Sequence, residues 1–519
     1  MEFIKANLHM ERSKCQINTQ LTLEEDRNIS DRNPDAAAVL LEQAEVITEE
    51  IRPATDAVTV KGKLVYEVLL KSEEEQGRMY SLQGEIPFEE KIRAEGVDSI
   101  DHVEVLAQME DFRAGLINSR KISVRALLYF TINAMQLYDE EIPVGLEHQE
   151  GLQVQKEVLN QSVMAVDKKD ILRIREELEL PANMPAVQEV LWKSLELGKW
   201  EIHPLEDSMG IQGELQLFIL YEGEGEGRPI KSYSVTIPFS SNLECSGSRS
   251  GMLAEILPLI TTRNLSVKED YDGEARMIEV EMVLELSIRL SENREWEMIT
   301  DVYSTNKEII PEYTQGYRKV IHNRYQGKLK LSRVFSASLA ADKILQVCHV
   351  QGHFLPQELS VEEKGLKIEG ILALSVLCLT ENEERPYETI KGEVPYSHLV
   401  ENTELIENSF WKVIPILESL KGTLLDGENL EVKAVIGLEI TLGERWQQSV
   451  LRGMQMQPLS PEKINSLPGI VVYFADREES LWEVGKRYMI PLESIRTLNQ
   501  LSSDTLQKGQ KLLLVKEVN

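Results

Sequence analysis

Short stretches of alternating apolar and polar residues recur along most of the chain, and a period of two marks a strand with one buried face. Lys121-Ile122-Ser123-Val124-Arg125-Ala126, Met277-Ile278-Glu279-Val280-Glu281-Met282 and Leu430-Glu431-Val432-Lys433-Ala434 are three such strands. Each closes a larger unit that begins with a strand carrying a glycine: Gly62 in Val60–Tyr66, Gly213 in Ile211–Leu217 and Gly370 in Ile368–Leu374. A second strand in each unit carries a proline, at Pro87, Pro238 and Pro395, 25 residues after the glycine every time. The glycines recur after 151 and 157 residues, so the period is that of a domain and predicts three tandem copies. Glycine here is expected to permit a bulge or close backbone approach, and proline to end a strand at a sheet edge. Asp272-Gly273 and Asp426-Gly427 stand before two of the alternating strands as hairpin-turn signals. Pro34 and Pro185, each 28 residues before its glycine, are expected to open short helices over Pro34–Leu40 and Pro185–Leu191, with Ile344-Leu345 as a looser counterpart. Strands outnumber helices, so the expected fold is mainly β (α+β): three tandem antiparallel sheet-rich repeat domains at 15–149, 150–308 and 309–450.

The pattern changes after residue 467. An apolar strand, Ile470-Val471-Val472-Tyr473, leads to Ser480 with Glu483 three residues on, a capping box at a helix start. Leu481, Val484 and Tyr488 share one face of that helix, and Pro491 suits the first turn of a second one. Leu492, Ile495 and Leu498 form the second helix's stripe, Asn499 stands where it should stop, and Lys508-Gly509 turns the chain into the strand Gln510–Val515. This βααβ order resembles a LysM domain, at residues 468–519, through Ser480-Leu481-Trp482, the Tyr488 and Pro491 region, Leu498-Asn499, Leu501–Leu506 and Gly509–Leu512. LysM domains usually carry Gly-Asp before the helix, whereas this chain has Glu478-Glu479, two carboxylates in place of a tight glycine turn. The resemblance implies a glycan groove between the first strand–helix loop and the second helix–strand loop. Carried over by position, the candidate partner- or glycan-binding residues are Glu478, Glu479, Ser480, Leu481, Trp482, Leu498, Asn499, Gln500 and Leu501. Leu481 and Leu498 are expected to be core, Trp482 half core and half exposed, and the Glu478-Glu479 loop either solvated or in contact with a partner. A sugar would draw on Trp482, Tyr473 and Asn499.

Tandem β-rich repeats followed by such a module resemble the SPOCS-domain proteins of endospore-forming bacteria. That resemblance covers roughly residues 15–450 together with the module. It implies a spore coat morphogenesis scaffold in the mother-cell cytoplasm, docking on the SpoIVA ATPase at the forespore surface, with LysM supplying the contact. The alternative is a protein that binds peptidoglycan or another N-acetylglucosamine glycan. Residues 451–467, with Pro458 and Pro461, are expected to be a spacer on which the module moves relative to the repeats.

Composition narrows the partners. A formal charge of −31 over 519 residues argues against nucleic acid and anionic lipid surfaces, since both need an excess of Lys and Arg. The start has no apolar run of signal-peptide length, no window is apolar enough to insert in a membrane, and Cys15, Cys245, Cys348 and Cys378 lack CxxC spacing, so a reducing cytoplasm is expected. Nothing assembles into catalytic chemistry, and no cofactor or metal is expected. Glu222–Gly227 interleaves glycines with carboxylates that would repel a phosphate, so it reads as a solvated hairpin loop. Cys348-His349 with His353 lacks a second ligand pair and reads as strand. The acidic runs Ser72–Gln76 and Glu381–Arg385 read as exposed loops, and Arg318–Arg324 as a basic patch too short to matter.

Overall fold

The alternating strands become the spines of three equivalent units. Ile122, Val124, Ala126, Leu128, Phe130, Ile132 and Ala134 are all fully buried, as are every second residue from Ile278 to Leu290; Leu430 to Leu442 follow suit. The structure, a computed structural model, describes residues 2–73, 78–147, 151–336, 342–383, 386–401, 408–426, 429–467 and 469–516. The first unit runs β1 (Phe3–Asn28), β2 (Ala36–Ala54), β3 (Ala57–Ser72), β4 (Met79–Arg93), β5 (His102–Asn118) and β6 (Lys121–Leu146). The second runs β7 (Leu152–Glu179), β8 (Val187–Leu205), β9 (Ser208–Gly223), β10 (Ile230–Glu244), β11 (Leu253–Glu269) and β12 (Ala275–Ser304). In the third, Pro356 lies in a break that divides one strand into two: β13 (Lys307–Ser336), β14 (Ile344–Phe354), β15 (Glu358–Glu362), β16 (Gly365–Thr380), β17 (Tyr387–Glu401), β18 (Ser409–Asp426) and β19 (Asn429–Pro458).

Each unit forms two antiparallel sheets of matching order: β1-β6-β5 with β2-β3-β4, β7-β12-β11 with β8-β9-β10, and β13-β19-β18 with β14/β15-β16-β17. In the second unit one apolar cluster takes side chains from β7 through β12, so its two sheets share a core. The Asp272-Gly273 signal falls in the β11–β12 turn, where Gly273 has φ +83° and Asp270 accepts from the amides of Asp272 and Glu274. Gly427 lies outside the described residues, although Asp426 pairs with Asn429 across that turn.

Two local expectations need correction. The segments after Pro34 and Pro185 are strands, β2 and β8, rather than helices. Two bulges near the start of each, at Ala36/Ala38 and Val39/Leu41 and at Val187/Glu189 and Val190/Trp192, interrupt the alternation and give the sequence a helix-like spacing. The third unit has the same pair, at Ile344/Gln346 and Val347/His349. The repeated prolines lie on edge strands, where a missing N–H is harmless, but those strands run on past them to Arg93, Glu244 and Glu401. The repeated glycines do accompany bulges in two units, where the strand on their other side shifts register opposite Gly62 (Thr48/Glu50) and Gly213 (Leu197/Trp200). Each stands directly opposite the aromatic residue that follows the proline: Gly62 with Phe88, Gly213 with Phe239 and Gly370 with Tyr396. A Cβ on Gly213 would lie 2.6 Å from Phe239 Cζ, and one on Gly62 2.8 Å from Phe88 Cζ. Glycine is required because the partner's ring lies over it and, at Gly62, because the backbone carbonyl of Ile47 approaches closely as well.

The three units close on one another. Leu69, Leu220 and Leu377 occupy equivalent positions at the glycine offsets, and all three belong to one buried cluster with Leu40, Leu41, Trp192 and Phe218. A second shared cluster joins Leu8, Met10 and Ile142 to Leu159, Val163 and Met298 and to Val450. Between these lies a patch of charge. Glu104, Glu255 and Lys412, again equivalent, meet there: Lys412 pairs with Glu255 and stands 3.6 Å from Glu104, which is 3.1 Å from the buried Arg289. Glu11 pairs with Lys319 beside them. Burial opposes ionisation of Glu255, but the ammonium of Lys412 and the charges of Lys319 and Arg289 outweigh it and hold its pKa at about 2. For Lys412 burial again opposes the charge, and the carboxylates of Glu255 and Glu104 raise its pKa above the ordinary value. Arg318, 1% exposed, reaches Glu140 of the first unit at 2.8 Å. The short basic patch of the sequence is thus partly spent on joining units.

Candidate functional site

The spacer ends in α1 (Pro461–Ser466), and the C-terminal module comprises β20 (Ile470–Phe474), β21 (Glu479–Ser480), α2 (Leu481–Tyr488), α3 (Leu492–Asn499), β22 (Thr505–Leu506) and β23 (Lys511–Val515). The capping box forms as its sequence requires: Ser480 Oγ accepts from Glu483 N at 3.1 Å, and Ser480 N donates to Glu483 Oε2 at 3.2 Å. Pro491 is the residue before α3 rather than within its first turn. Leu481, Val484, Ile495, Leu506, Leu512 and Leu514 make the module's own core. Gly509, at φ +83°, turns the chain into β23.

The candidate surface divides in three. Glu478, Leu498 and Gln500 are exposed, with Ser480 and Leu501 partly so. Leu498, expected in the core, is 46% exposed because Ile495 and Leu492 fill the inner face of α3. Leu481 is buried as its spacing suggests. Glu479 is also buried, accepting from Arg487 Nη2 at 3.2 Å and from the Tyr473 hydroxyl. Asn499 is half-buried and clips α3 to the ribbon, its amide donating to Leu513 O at 2.8 Å while its oxygen accepts from Leu513 N at 2.6 Å.

Trp482 is only 8% exposed, and what covers it is the second repeat. Its Nε1 donates to Asp301 Oδ2 at 2.8 Å, and its ring meets Tyr303 edge-on with centroids 4.9 Å apart. Lys486 Nζ donates to both Asp301 oxygens, at 2.6 and 2.7 Å, and Tyr303 OH donates to Ile490 O at 2.7 Å. Burial raises the Asp301 pKa, but the bonds from Lys486 and Trp482 outweigh it and leave the carboxyl below its usual range. The expected spacer is likewise engaged: β19 continues to Pro458, which pairs with Lys307, and Lys463 of α1 reaches Glu308 at 2.7 Å. Prolines suggest an extended spacer, but Pro458 stands at the end of a ladder and Pro461 at the start of a helix, both places where proline fits.

Sequence reasoning missed a further surface. Ile470, Val472 and Phe474 are 69%, 49% and 55% exposed on one face of the β20–β23 ribbon, with Leu513 opposite Val472. Period-two alternation could have found it, because Val471 and Tyr473 point into the core while their neighbours point out. Elsewhere, His349 belongs to β14, its ring stacked on Phe218 of the second repeat at 3.7 Å between centroids, and burial pushes its pKa down to about 3. No cluster of metal-ligating side chains occurs among the described residues. The Glu222–Gly227 stretch spans the end of β9 and an exposed hairpin loop, while the acidic runs reach residues 74–76 and 384–385, outside the described ones. No helix among the described residues is long and apolar enough to cross a membrane.

Comparison with protein families fits this architecture. Residues 35–117 and 186–268 match the family described as SipL, SPOCS domain, and residues 477–515 match the LysM domain. The chain therefore has the domain content of a SPOCS-plus-LysM protein. The matched copies span β2 to β5 and β8 to β11, and the third unit repeats their strand order. No curated protein and no solved structure matches the chain.

Proposed function

We propose that the protein is a non-enzymatic scaffold of spore coat morphogenesis, which binds the SpoIVA ATPase through its LysM module and helps localise it at the forespore surface in the mother-cell cytoplasm. The observation that supports a protein ligand is the use already made of the polar and aromatic groups a sugar would need. Trp482 is bonded to Asp301, Tyr473 to Glu479 and Arg487, and Asn499 to the β23 backbone. Among the surfaces the module leaves open is an apolar one, the ribbon face of Ile470, Val472 and Phe474 with Leu513 opposite Val472. Contiguous exposed apolar surface on a soluble domain suits a protein partner better than a carbohydrate. Recruitment then gains from a polymeric partner, because many modest contacts along one polymer raise the effective concentration of each.

The test is binding of the full chain to purified SpoIVA and, side by side, to purified peptidoglycan. The expected result is binding to SpoIVA alone, with Val472→Asp weakening it at least about tenfold, a loss of roughly 1.4 kcal/mol. Glu478→Ala and Gln500→Ala then report how far the contact extends along the loops. Capture by peptidoglycan without SpoIVA would replace this reading with the glycan one.

A further inference from the structure

The bulge between Ile299 and Asp301 in β12 breaks the pairing with β7 just where the second repeat meets the module. Such a bulge re-aims the side chains that follow it. Asp301 here accepts from two residues of α2, while Tyr303 donates to the loop that joins α2 to α3. The module answers with a glycine. A Cβ on Gly485 would lie 2.6 Å from Tyr303 OH and 2.8 Å from Leu492 Cδ2, so a larger residue at that position presses on the second repeat as well as on α3. Gly485 has helical neighbours on both sides and no positive φ, so the turn of the helix does not require it. Glycine inside a helix costs about 1 kcal/mol relative to alanine, and here it is matched by close packing both against Tyr303 and, within the module, against Leu492 and the Ile490 carbonyl. Gln153 of β7 adds a fourth point, accepting from Leu492 N at 3.4 Å.

We propose that Asp301, Tyr303 and Gly485 form a permanent clasp that joins the module to the repeats as one rigid body, with Trp482 as the anchor of the clasp rather than a ligand residue. The contact has the composition of a binding hot spot: a buried tryptophan against an aromatic ring, closed by a charge-assisted hydrogen-bond set. The clasp reserves one face of α2 for the repeats and leaves the ribbon face and the α3 C-terminus pointing at fixed angles from the body. Every copy of the chain then presents its open surface in the same orientation, which a module on a free tether would not.

The experiment is nitrogen relaxation on the full-length chain with only the module isotopically labelled, and it needs no partner, so its outcome is independent of what the module binds. The expected result is that module amides tumble with the correlation time of the whole chain. In Gly485→Ala combined with Asp301→Asn, the module should tumble several-fold faster while its dispersed amide shifts show that it is still folded. Tyr303→Phe, which keeps the ring and loses only the bond to Ile490, should fall between the two. Wild-type module amides that already tumble several-fold faster than the body would overturn the clasp, as would a double variant indistinguishable from wild type.

Discussion

The repeat body and the module solve the same problem of cohesion in different ways. The module has a small core of its own, from Leu481, Val484, Ile495 and Leu512, and meets the rest of the chain through one face. The body's units share theirs: Leu69, Leu220 and Leu377 come from three different repeats and are buried in one cluster. Apolar contacts of that kind are tolerant of which repeat sits where. The charges are not. Glu104, Glu255 and Lys412 hold equivalent positions, and the lysine is what lets them meet. A chain built from identical copies would bring three carboxylates together. Divergence among the repeats is thus a condition for their closing, and buried ionic groups here specify arrangement more than they add stability.

The largest expected effect follows from that difference. Lys412→Glu should destabilise the body by no more than about 3–5 kcal/mol, the loss from a fully buried pair, since these side chains are partly exposed. Lys412→Met should cost less because no third carboxylate arrives. Denaturant unfolding followed by fluorescence measures both. The module should keep its own fold in either variant, which separates the two regions experimentally.

Acid should distinguish them next. His349 is held well below the ordinary histidine range, at about 3, so the folded body resists protonation that the unfolded chain accepts. A depressed pKa gives stability that is complete above the unfolded value of about 6.5 and is lost as pH falls towards the folded one. By pH 5 the loss from this residue is about 2 kcal/mol. His102 and His353 are shifted the same way by burial and add to it. The midpoint of thermal unfolding should therefore fall between pH 7 and pH 5, and His349→Leu should flatten the slope. An equal slope in that variant would place the acid sensitivity elsewhere. Below about pH 4.5 the carboxylates take over, since Glu255 and Glu11 are depressed by their cationic partners and their contribution is lost there.

Much of this was legible in the chain, and the failures have one physical cause. The three copies, their spacing, the hairpin at Asp272-Gly273 and the capping box at Ser480 are all local signals, and each appears where its residues place it. Contacts between units are what local pattern conceals. β2 and β8 bury consecutive residues, Leu40-Leu41 and Leu191-Trp192, because paired bulges turn both towards neighbouring repeats, and the lost alternation looks helical. Arg318 and Lys319 read only as a basic patch too short to matter because nothing in their own strand announces Glu140 or Glu11. Trp482 looked like a sugar platform because Asp301 lies 181 residues away. At the candidate site the fold was readable, whereas the division between open and occupied faces was not.

The most direct test of the closed three-repeat body is native-state hydrogen exchange on the full chain, comparing β6, β12 and β19 before and after Arg318→Ala. The mutation removes one ion pair between the third and first units. If the repeats form one cooperative body, protection falls by the same free energy in all three central strands while the module's α2 and α3 keep theirs. Loss confined to β19, with β6 and β12 unchanged, would mean that the repeats stand as separate domains and would contradict the account.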